Sequence, residues 1–381
     1  MIPYARQSID AQDIQAVTAV LRSDWITTGP KVAAFEKAVA RFVGAREAVA
    51  VCNGTAALHT AVHAADIGPG DEVLVPAMTF AASANCVLYE GGTPVFVDVQ
   101  EDSLLLDPAQ AEAKITSRTK AIMTVDYTGQ PCDYDAFRVL ADRYGLALIA
   151  DAAHALGAEY KGHAVGTLAD LTTFSFHPVK HVTTGEGGMV VTDDRAMAER
   201  MRQFRNHGIS TDARARAEKG TWFYEMVDLG YNYRLTDIQC ALGLSQMKRL
   251  RRSLARRRAI ARMYDEAFAS IPGIEPLAVS PDVRHAYHLY VVQIDPSRAA
   301  EDRDAIFRTL RERGVGVNVH YIPVHLHPYY RQRMGTHPGM CPVAEAAYAR
   351  ILSLPMFPAM TDADVRRVVD EVGRAARAKQ P

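Results

Sequence analysis

An α/β fold built on a mostly parallel sheet, followed by a smaller C-terminal α/β domain, is what this sequence predicts. Between about residues 45 and 192, short apolar β-prone runs alternate with segments long enough for crossover helices. Several of those runs are apolar at every position, as in strands covered by helices on both faces. After about residue 250 the alternation begins again.

Residues 31–42 come first, with Val32, Phe35, Val39 and Phe42 at spacings of three and four, which is one buried helix face. Strands are expected at 48–52, 72–75, 94–97, 121–125, 146–150, 171–176 and 188–191. Helices are expected between them at 56–65, 80–89 and 134–144. A long helical region runs from Thr236 past Arg258, with Ile238, Leu242, Leu244, Met247, Leu250 and Leu254 as its apolar positions. Beyond it the pattern gives strands near 286–294 and 316–319 and helices near 304–313 and 342–351. The last helix starts at Thr361, an N-cap residue type, and buries Val365, Val368, Val369 and Val372. The expected division is a large unit over 1–249 and a small one over 250–381.

Composition bounds the function. A hydrophobic fraction of 48% with 23% charged residues is that of a soluble globular protein. With 43 basic against 44 acidic residues, no overall field favours nucleic acid or an anionic membrane. The run KRLRRSLARRR alternates arginine with leucine, the pattern of a solvated helix face. Five cysteines, Cys52, Cys86, Cys132, Cys240 and Cys341, lack CxxC or metal-like spacing and read as reduced thiols. The start MIPYARQSID has neither the basic head nor the apolar run of a signal peptide, and no stretch has the roughly 20 apolar residues of a membrane span. A cytoplasmic protein is expected.

Three local features carry chemistry. In LALIADAAHA an apolar strand delivers Asp151 at its C-terminal edge, where open α/β sheets place ligands. Taken alone, Asp151 reads better as a helix N-cap. In FSFHPVK a lysine, Lys180, leaves a buried strand toward the glycine-rich run GEGG. A lysine so placed can be partly desolvated, which disfavours the ammonium and gives a usable nucleophile. Taken alone it reads as a surface lysine in a loop, as most lysines do. In NGTAALH a strand turns into a helix whose free N–H groups suit a phosphate. The acid lies 29 residues before the lysine, and the turn at 53–55 precedes both. Pyridoxal phosphate needs these three things: an amine for its aldehyde, a carboxylate for its ring nitrogen and donors for its phosphate.

With those residues in place the chain resembles the DegT/DnrJ/EryC1/StrS family of nucleotide-sugar aminotransferases, which share the fold type I of pyridoxal-phosphate-dependent transferases (aspartate aminotransferase-like). The likeness runs from WITTGPKVAAFE through NGTAALH, GDEVLVPAMTFAAS, DAAHALGAEYKG, FSFHPVKHVTTGEGG and LGYNYRLTDIQCALGLSQ to NVHYIPVH. The wording FSFHPVK, TTGEGG, GYNYRL and VHY is most similar to enzymes that aminate C4 of a UDP-linked 4-keto-6-deoxy-N-acetylhexosamine for pseudaminic acid synthesis. Enzymes of the GDP-perosamine type and dTDP-sugar 3/4-aminotransferases use similar loops. One departure is the turn NGTAAL, a residue shorter than the NSATSAL of many pseudaminic-type relatives, which leaves that loop's part in substrate choice open.

The resemblance implies residue roles. Lys180 matches the lysine that holds the cofactor as a Schiff base, and Asp151 the carboxylate at the pyridine nitrogen. Gly54, Thr55 and Ser175 match phosphate-binding positions. Phe80 falls where relatives stack an aromatic on the ring. His154 stands where many relatives carry glutamine near the ring oxygen. Asn232 matches the residue that reaches the phosphate of the neighbouring subunit's cofactor, which implies a homodimer with shared active sites. The nucleotide sugar is expected along Tyr4, along Asp24, Trp25, Ile26 and Thr27, and along Asn318, Val319, His320 and Tyr321, with L-glutamate as amino donor. His320, His325 and His327 are not expected to form a metal site. Sugar 3-dehydratases of the same fold replace the lysine, usually with histidine; here Lys180 is retained. An inactive binding or regulatory protein of this fold would not need Lys180, Asp151 and the phosphate turn together.

Overall fold

The computed structural model describes residues 1–211, 216 and 220–377. Helices α1 (Ala11–Leu21) and α2 (Pro30–Val43) precede a run of strands and helices. In order these are β1 (Glu47–Val51), α3 (Gly54–Ala64), β2 (Glu72–Pro76), α4 (Ala82–Tyr89), β3 (Thr93–Val97), α5 (Pro108–Ala113), β4 (Thr119–Val125), α6 (Tyr134–Tyr144) and β5 (Ala147–Asp151). The two-residue strands β6 (Glu159–Tyr160) and β7 (His163–Ala164) follow, then β8 (Leu171–Ser175), β9 (Gly188–Thr192) and α7 (Arg195–Phe204).

Seven strands form one sheet in the order β1-β9-β8-β5-β4-β2-β3. Its members from β3 to β8 pair in parallel, while β9 runs antiparallel to both β8 and β1. Every residue of β2 is buried, as are Leu148, Ile149, Ala150 and Asp151 of β5. Burying a leucine or isoleucine of this kind contributes about 1.5–3 kcal/mol. That is why these strands read as continuous apolar runs rather than as alternating ones. Helix α6 shows how its sequence sets its limits and its face. Asp133 accepts the amide of Ala136 as N-cap, and Phe137, Leu140 and Ala141 turn inward.

The C-terminal part contains α8 (Asp237–Met247), α9 (Leu250–Phe268), β10 (Ile274–Pro276), β11 (Val283–Arg284), β12 (Tyr290–Ile294) and α10 (Arg303–Glu312). It ends with α11 (Pro328–Met334), α12 (Pro342–Tyr348), β13 (Ile351–Leu354) and α13 (Asp362–Ala376). Strands β10, β12 and β13 make a second sheet, and β11 joins β6 and β7 in a third. Helix α9 serves two cores: Leu250 and Leu254 pack against the large sheet, whereas Ile260, Tyr264 and Phe268 pack with the second sheet, α10, α13 and Ile2 near the N-terminus. Among the described residues no helix is long and apolar enough to cross a membrane. All five cysteines are free thiols, four of them buried.

The structure departs from the sequence expectations in several places. The helical region after Thr236 breaks at Arg249, whose guanidinium binds Asp10 and Asp13 at the start of α1 and the carbonyl of Ser8. The helix expected over 342–351 ends at Tyr348, because Ile351, Leu352 and Leu354 are buried in ladder with β12. Residues 316–319 make a single bridge, Asn318 to Ser353, since Gly316 N is drawn to the carbonyl of Ile2 instead (2.7 Å). The strand expected from 286 begins only at Tyr290, residues 286–289 forming a turn held by Gly129 and Thr128. Helix α1 was not expected from the sequence; its Ile14 and Leu21 face outward, so it shows no apolar stripe. In KRLRRSLARRR, Arg249, Arg256 and Arg257 are engaged within the chain and Arg251 lies over the ring of Phe42.

Candidate active site

The carboxyl ends of β4, β5 and β8 open onto a cavity of about 490 Å³. This is where a parallel sheet presents strand-end side chains to a ligand. Asp151 lies on its floor, 6% exposed, as the last residue of β5. No helix follows it, so the N-cap alternative fails. Its Oδ2 accepts from Ser83 Oγ at 2.6 Å and its Oδ1 from the amide of Ala153 at 3.2 Å. Burial raises the pKa of the carboxyl, and these two donors and the nearby Lys180 pull the other way.

Lys180 lies in the loop between β8 and β9. Phe176 fixes the base of that loop: its amide donates to Gly187 O at 2.8 Å, and its carbonyl accepts from Thr184 N at 3.0 Å. A turn from His177 O to Lys180 N (2.9 Å) then carries the lysine back over the strand ends. Burial depresses the amine's pKa to about 7; the charge of Asp151 opposes this and that of Arg257 adds to it. The free amine is therefore far more accessible near neutral pH than in an ordinary lysine, which is almost wholly protonated there.

The start of α3 forms another wall. Asn53 caps it, accepting the amide of Ala56 on its side chain at 2.8 Å and that of Ala57 on its carbonyl at 3.0 Å. The amides of Gly54 and Thr55 have no hydrogen-bond partner among the described residues and stand at the positive end of the helix. Gly54 is required by contact: a Cβ there would lie 2.9 Å from Ser175 Cβ and 3.0 Å from its Oγ. An anion at this corner would meet two amides and one hydroxyl.

At the mouth stand Phe80, 59% exposed, and Tyr321, their ring centroids 5.9 Å apart. Tyr321 OH is 3.1 Å from His154 Nε2, and His154 Nδ1 is buried without a partner among the described residues. The pKa of His154 is pushed well down, first by burial and then by Lys180, His320 and His181, so the ring is neutral. His320 binds Ser353 Oγ through Nδ1 (2.8 Å) and Tyr4 packs beside it (centroids 5.7 Å). His325 is instead buried against Glu345 (2.8 Å), and His327 lies on a separate groove with Tyr329.

Of the residues singled out from the sequence, Gly54, Thr55, Phe80, Asp151, His154, Ser175, Lys180, Tyr4, His320 and Tyr321 share this cavity. Asp24, Trp25, Ile26 and Thr27 do not line it; they form an exposed segment bridged to the start of α8, where Thr27 pairs with Thr236. Asn232 is also exposed and outside it, its backbone paired with Asn206. Asn318 and Val319 lie beside it in sequence but do not line it. Asn53, part of the turn at 53–55 singled out from the sequence, is the cap of α3. Sequence reading missed Ser83 and His288, which carry no local signal because their partners are 68 and 108 residues away.

A carboxylate, a free amine, an anion corner and an exposed aromatic face around one cavity suit a flat, phosphorylated carbonyl compound with a basic ring nitrogen. The orphaned Nδ1 of His154 leaves one further polar position for such a ring. The description "DegT/DnrJ/EryC1/StrS aminotransferase family" belongs to a family model matching residues 7–373. The chain is 45% identical over 373 residues to the spore coat polysaccharide biosynthesis protein SpsC of Bacillus subtilis (strain 168), covering 97% of this chain and 96% of that one. It is similar to the pyridoxal-phosphate form of the putative sugar aminotransferase Spr1654 from Streptococcus pneumoniae, with a TM-score of 0.91, 34% identity and coverage of 98% of each chain. It is similar as well to Helicobacter pylori PseC, an aminotransferase involved in the biosynthesis of pseudoaminic acid, with a TM-score of 0.91, 32% identity and coverage of 98% of this chain and 99% of that one.

Proposed function

This chain belongs to the DegT/DnrJ/EryC1/StrS aminotransferase family and is a pyridoxal-phosphate-dependent sugar aminotransferase; from that premise we propose its substrates and the work of its residues. The amino group goes from L-glutamate to C4 of a nucleotide-linked 4-keto-6-deoxy sugar, UDP-2-acetamido-2,6-dideoxy-4-keto-hexose, in making a surface glycan of the pseudaminic acid type. The likeness to PseC and to a spore coat polysaccharide protein supports this choice.

When bound, pyridoxal phosphate supplies an aldehyde that takes up the amine and a cationic ring that draws electrons from the carbon losing its proton. Lys180 Nζ would hold that aldehyde and, once released, take up and return the proton. A base poised near neutral pH is worth about 10²–10⁴-fold in rate. Asp151, oriented by Ser83 and Ala153, would pair with the ring nitrogen and hold it protonated. Gly54, Thr55 and Ser175 would take the phosphate, Phe80 the ring face and His154 the ring oxygen. Tyr4, His320 and Tyr321 stand at the mouth, where the sugar enters.

The same reading calls for a second copy of the chain. Asn232 and the 24–27 segment lie outside the cavity, and Trp222, Phe223, Met226, Val227 and Leu229 are exposed nearby along the sequence. Such a run of apolar side chains is commonly covered by a partner. We assign Asn232 to the partner's cofactor phosphate and the 24–27 segment to the nucleotide sugar.

The observation that carries the function is the coincidence of Lys180 and Asp151 in one cavity at the strand ends. The test is incubation with glutamate and a panel of UDP-, GDP- and dTDP-linked 4-keto sugars, with products identified by NMR. Amination of the UDP-acetamido sugar at C4 is the expected result. Failure with it and turnover of a GDP sugar would replace it with the perosamine-type substrate.

A further inference from the structure

His288 lies in the turn before β12, 4% exposed, with Nε2 at 3.4 Å from Lys180 Nζ. Its other ring nitrogen, Nδ1, has no partner among the described residues. Nothing in the chemistry above uses it, yet the backbone is arranged to hold it there. The amides of Ala286 and Leu289 donate to Gly129 O (2.9 Å) and Thr128 O (3.1 Å). Arg257, 1% exposed, donates through Nη1 to the carbonyls of Tyr287 (3.0 Å), His288 (3.2 Å) and Met356 (2.9 Å). Position 129 must be glycine for the turn to come this close. Its φ is +105°, and a Cβ would sit 2.6 Å from His154 O and 3.1 Å from His288 N. A fully buried arginine that binds three carbonyls and no carboxylate is a costly way to hold a turn.

We infer that His288 is a positioning residue for Lys180: its Nε2 accepts a hydrogen bond from the Nζ amine and fixes where that amine takes up and returns its proton. This rests on the reading of Lys180 as the reactive amine. The imidazole must be neutral to accept, and its surroundings make it so. Burial acts first, followed by Lys180, His154, His181 and Arg257, and together they push its protonation well below the ordinary range. The groups facing Lys180 are Asp151, His154, His181, His288, His320 and Arg257. Of these, Asp151 favours the ammonium by its charge, and His288 favours it as an acceptor, since a hydrogen bond to a charged donor is about twice as strong as one to a neutral donor. A histidine present only to fill the core would leave the amine's titration unchanged.

The experiment uses the full-length cofactor-free protein. Competitive acylation with acetic anhydride over a pH series, read at the Lys180 peptide by mass spectrometry, gives the amine's titration without turnover. In the wild type Lys180 should titrate near 7. His288→Leu should move that titration down by about one pH unit, a tenfold loss of proton affinity, and His288→Gln, which keeps an acceptor, should restore more than half of it. A folded His288→Leu protein whose Lys180 titrates as in the wild type, or higher, overturns the inference. A second measurement needs no substitution at 288. The Nε2 resonance of His288 in ¹⁵N-histidine-labelled protein should follow the Lys180 titration in the wild type and lose that step in Lys180→Ala. A resonance insensitive to Lys180 overturns the inference equally. The two failures are distinct: titration near 7 in every variant overturns the role of His288 alone, whereas a wild-type Lys180 that titrates near 10.5 overturns the reading of the reactive amine as well.

Discussion

Replacing Lys180 with methionine should make the cofactor-free protein more stable at pH 7 while abolishing its activity. A native pKa of about 7 against an ordinary 10.5 means that burial of the amine opposes folding. At about 1.4 kcal/mol per pH unit the difference amounts to about 5 kcal/mol. Because Lys180 is partly exposed, solvent screening leaves about 2–3 kcal/mol. Methionine is of similar length and apolar, so it fills the space without the charge. The pH dependence follows from proton counts. Below about 7 both states carry the proton and the penalty is complete. Between about 7 and 10.5 the unfolded chain holds more protons, so wild-type stability rises with pH relative to the variant. Urea titrations of the two cofactor-free proteins at pH 7 and pH 10 give the comparison. The variant should lead by about 2–3 kcal/mol at pH 7 and by under about 1 kcal/mol at pH 10. Equal stabilities at pH 7, or a gap that does not close as the pH rises, would refute the reasoning.

Gly54→Ala should weaken pyridoxal phosphate binding about tenfold or more, because the new Cβ meets Ser175 at 2.9 Å and opens the anion corner; equilibrium titration of the cofactor reads this. Ser83→Ala removes a 2.6 Å donor from Asp151 and should raise the carboxyl's pKa further. Cofactor retention should then fail at a higher pH than in the wild type as the solution is acidified. Asp151→Asn should weaken cofactor binding and slow proton abstraction, and unchanged kinetics would count against its place at the ring nitrogen. Arg249→Met strips a cation from Asp13, which is 1% exposed, and should destabilise the fold by about 2–4 kcal/mol in a urea titration while leaving cofactor binding per folded molecule unchanged.

The sequence exposes the large sheet because burial on both faces leaves a chemical record: Glu72–Pro76 and Ala147–Asp151 are runs whose composition follows from where they lie. The residues that stand at strand ends and turns, Asp151, Lys180 and Gly54, were legible for the same reason, since a polar or glycine residue interrupts an apolar run. What stayed hidden depends on distant parts of the chain. The break at Arg249 needs Asp10 and Asp13 from α1, and the strand Ile351–Leu354 needs β12 beside it before its apolar run can be told from the end of a helix. Ser83 looks like any small residue of a helix until Asp151 is brought to it by β5. His288 sits in a stretch, HAYHLY, whose spacing says nothing of Lys180. Asp24, Trp25, Ile26, Thr27 and Asn232 fall outside the cavity of one chain, and their proposed roles depend on a second copy.

The central claim is that the amine of Lys180, and no other, binds the cofactor. Borohydride treatment of the pyridoxal-phosphate-loaded protein followed by peptide mapping tests it directly. A single stable cofactor adduct on the peptide containing Lys180, absent from Lys180→Ala, is the result this account predicts. An adduct on a different side chain, or full retention of the label in Lys180→Ala, would contradict it.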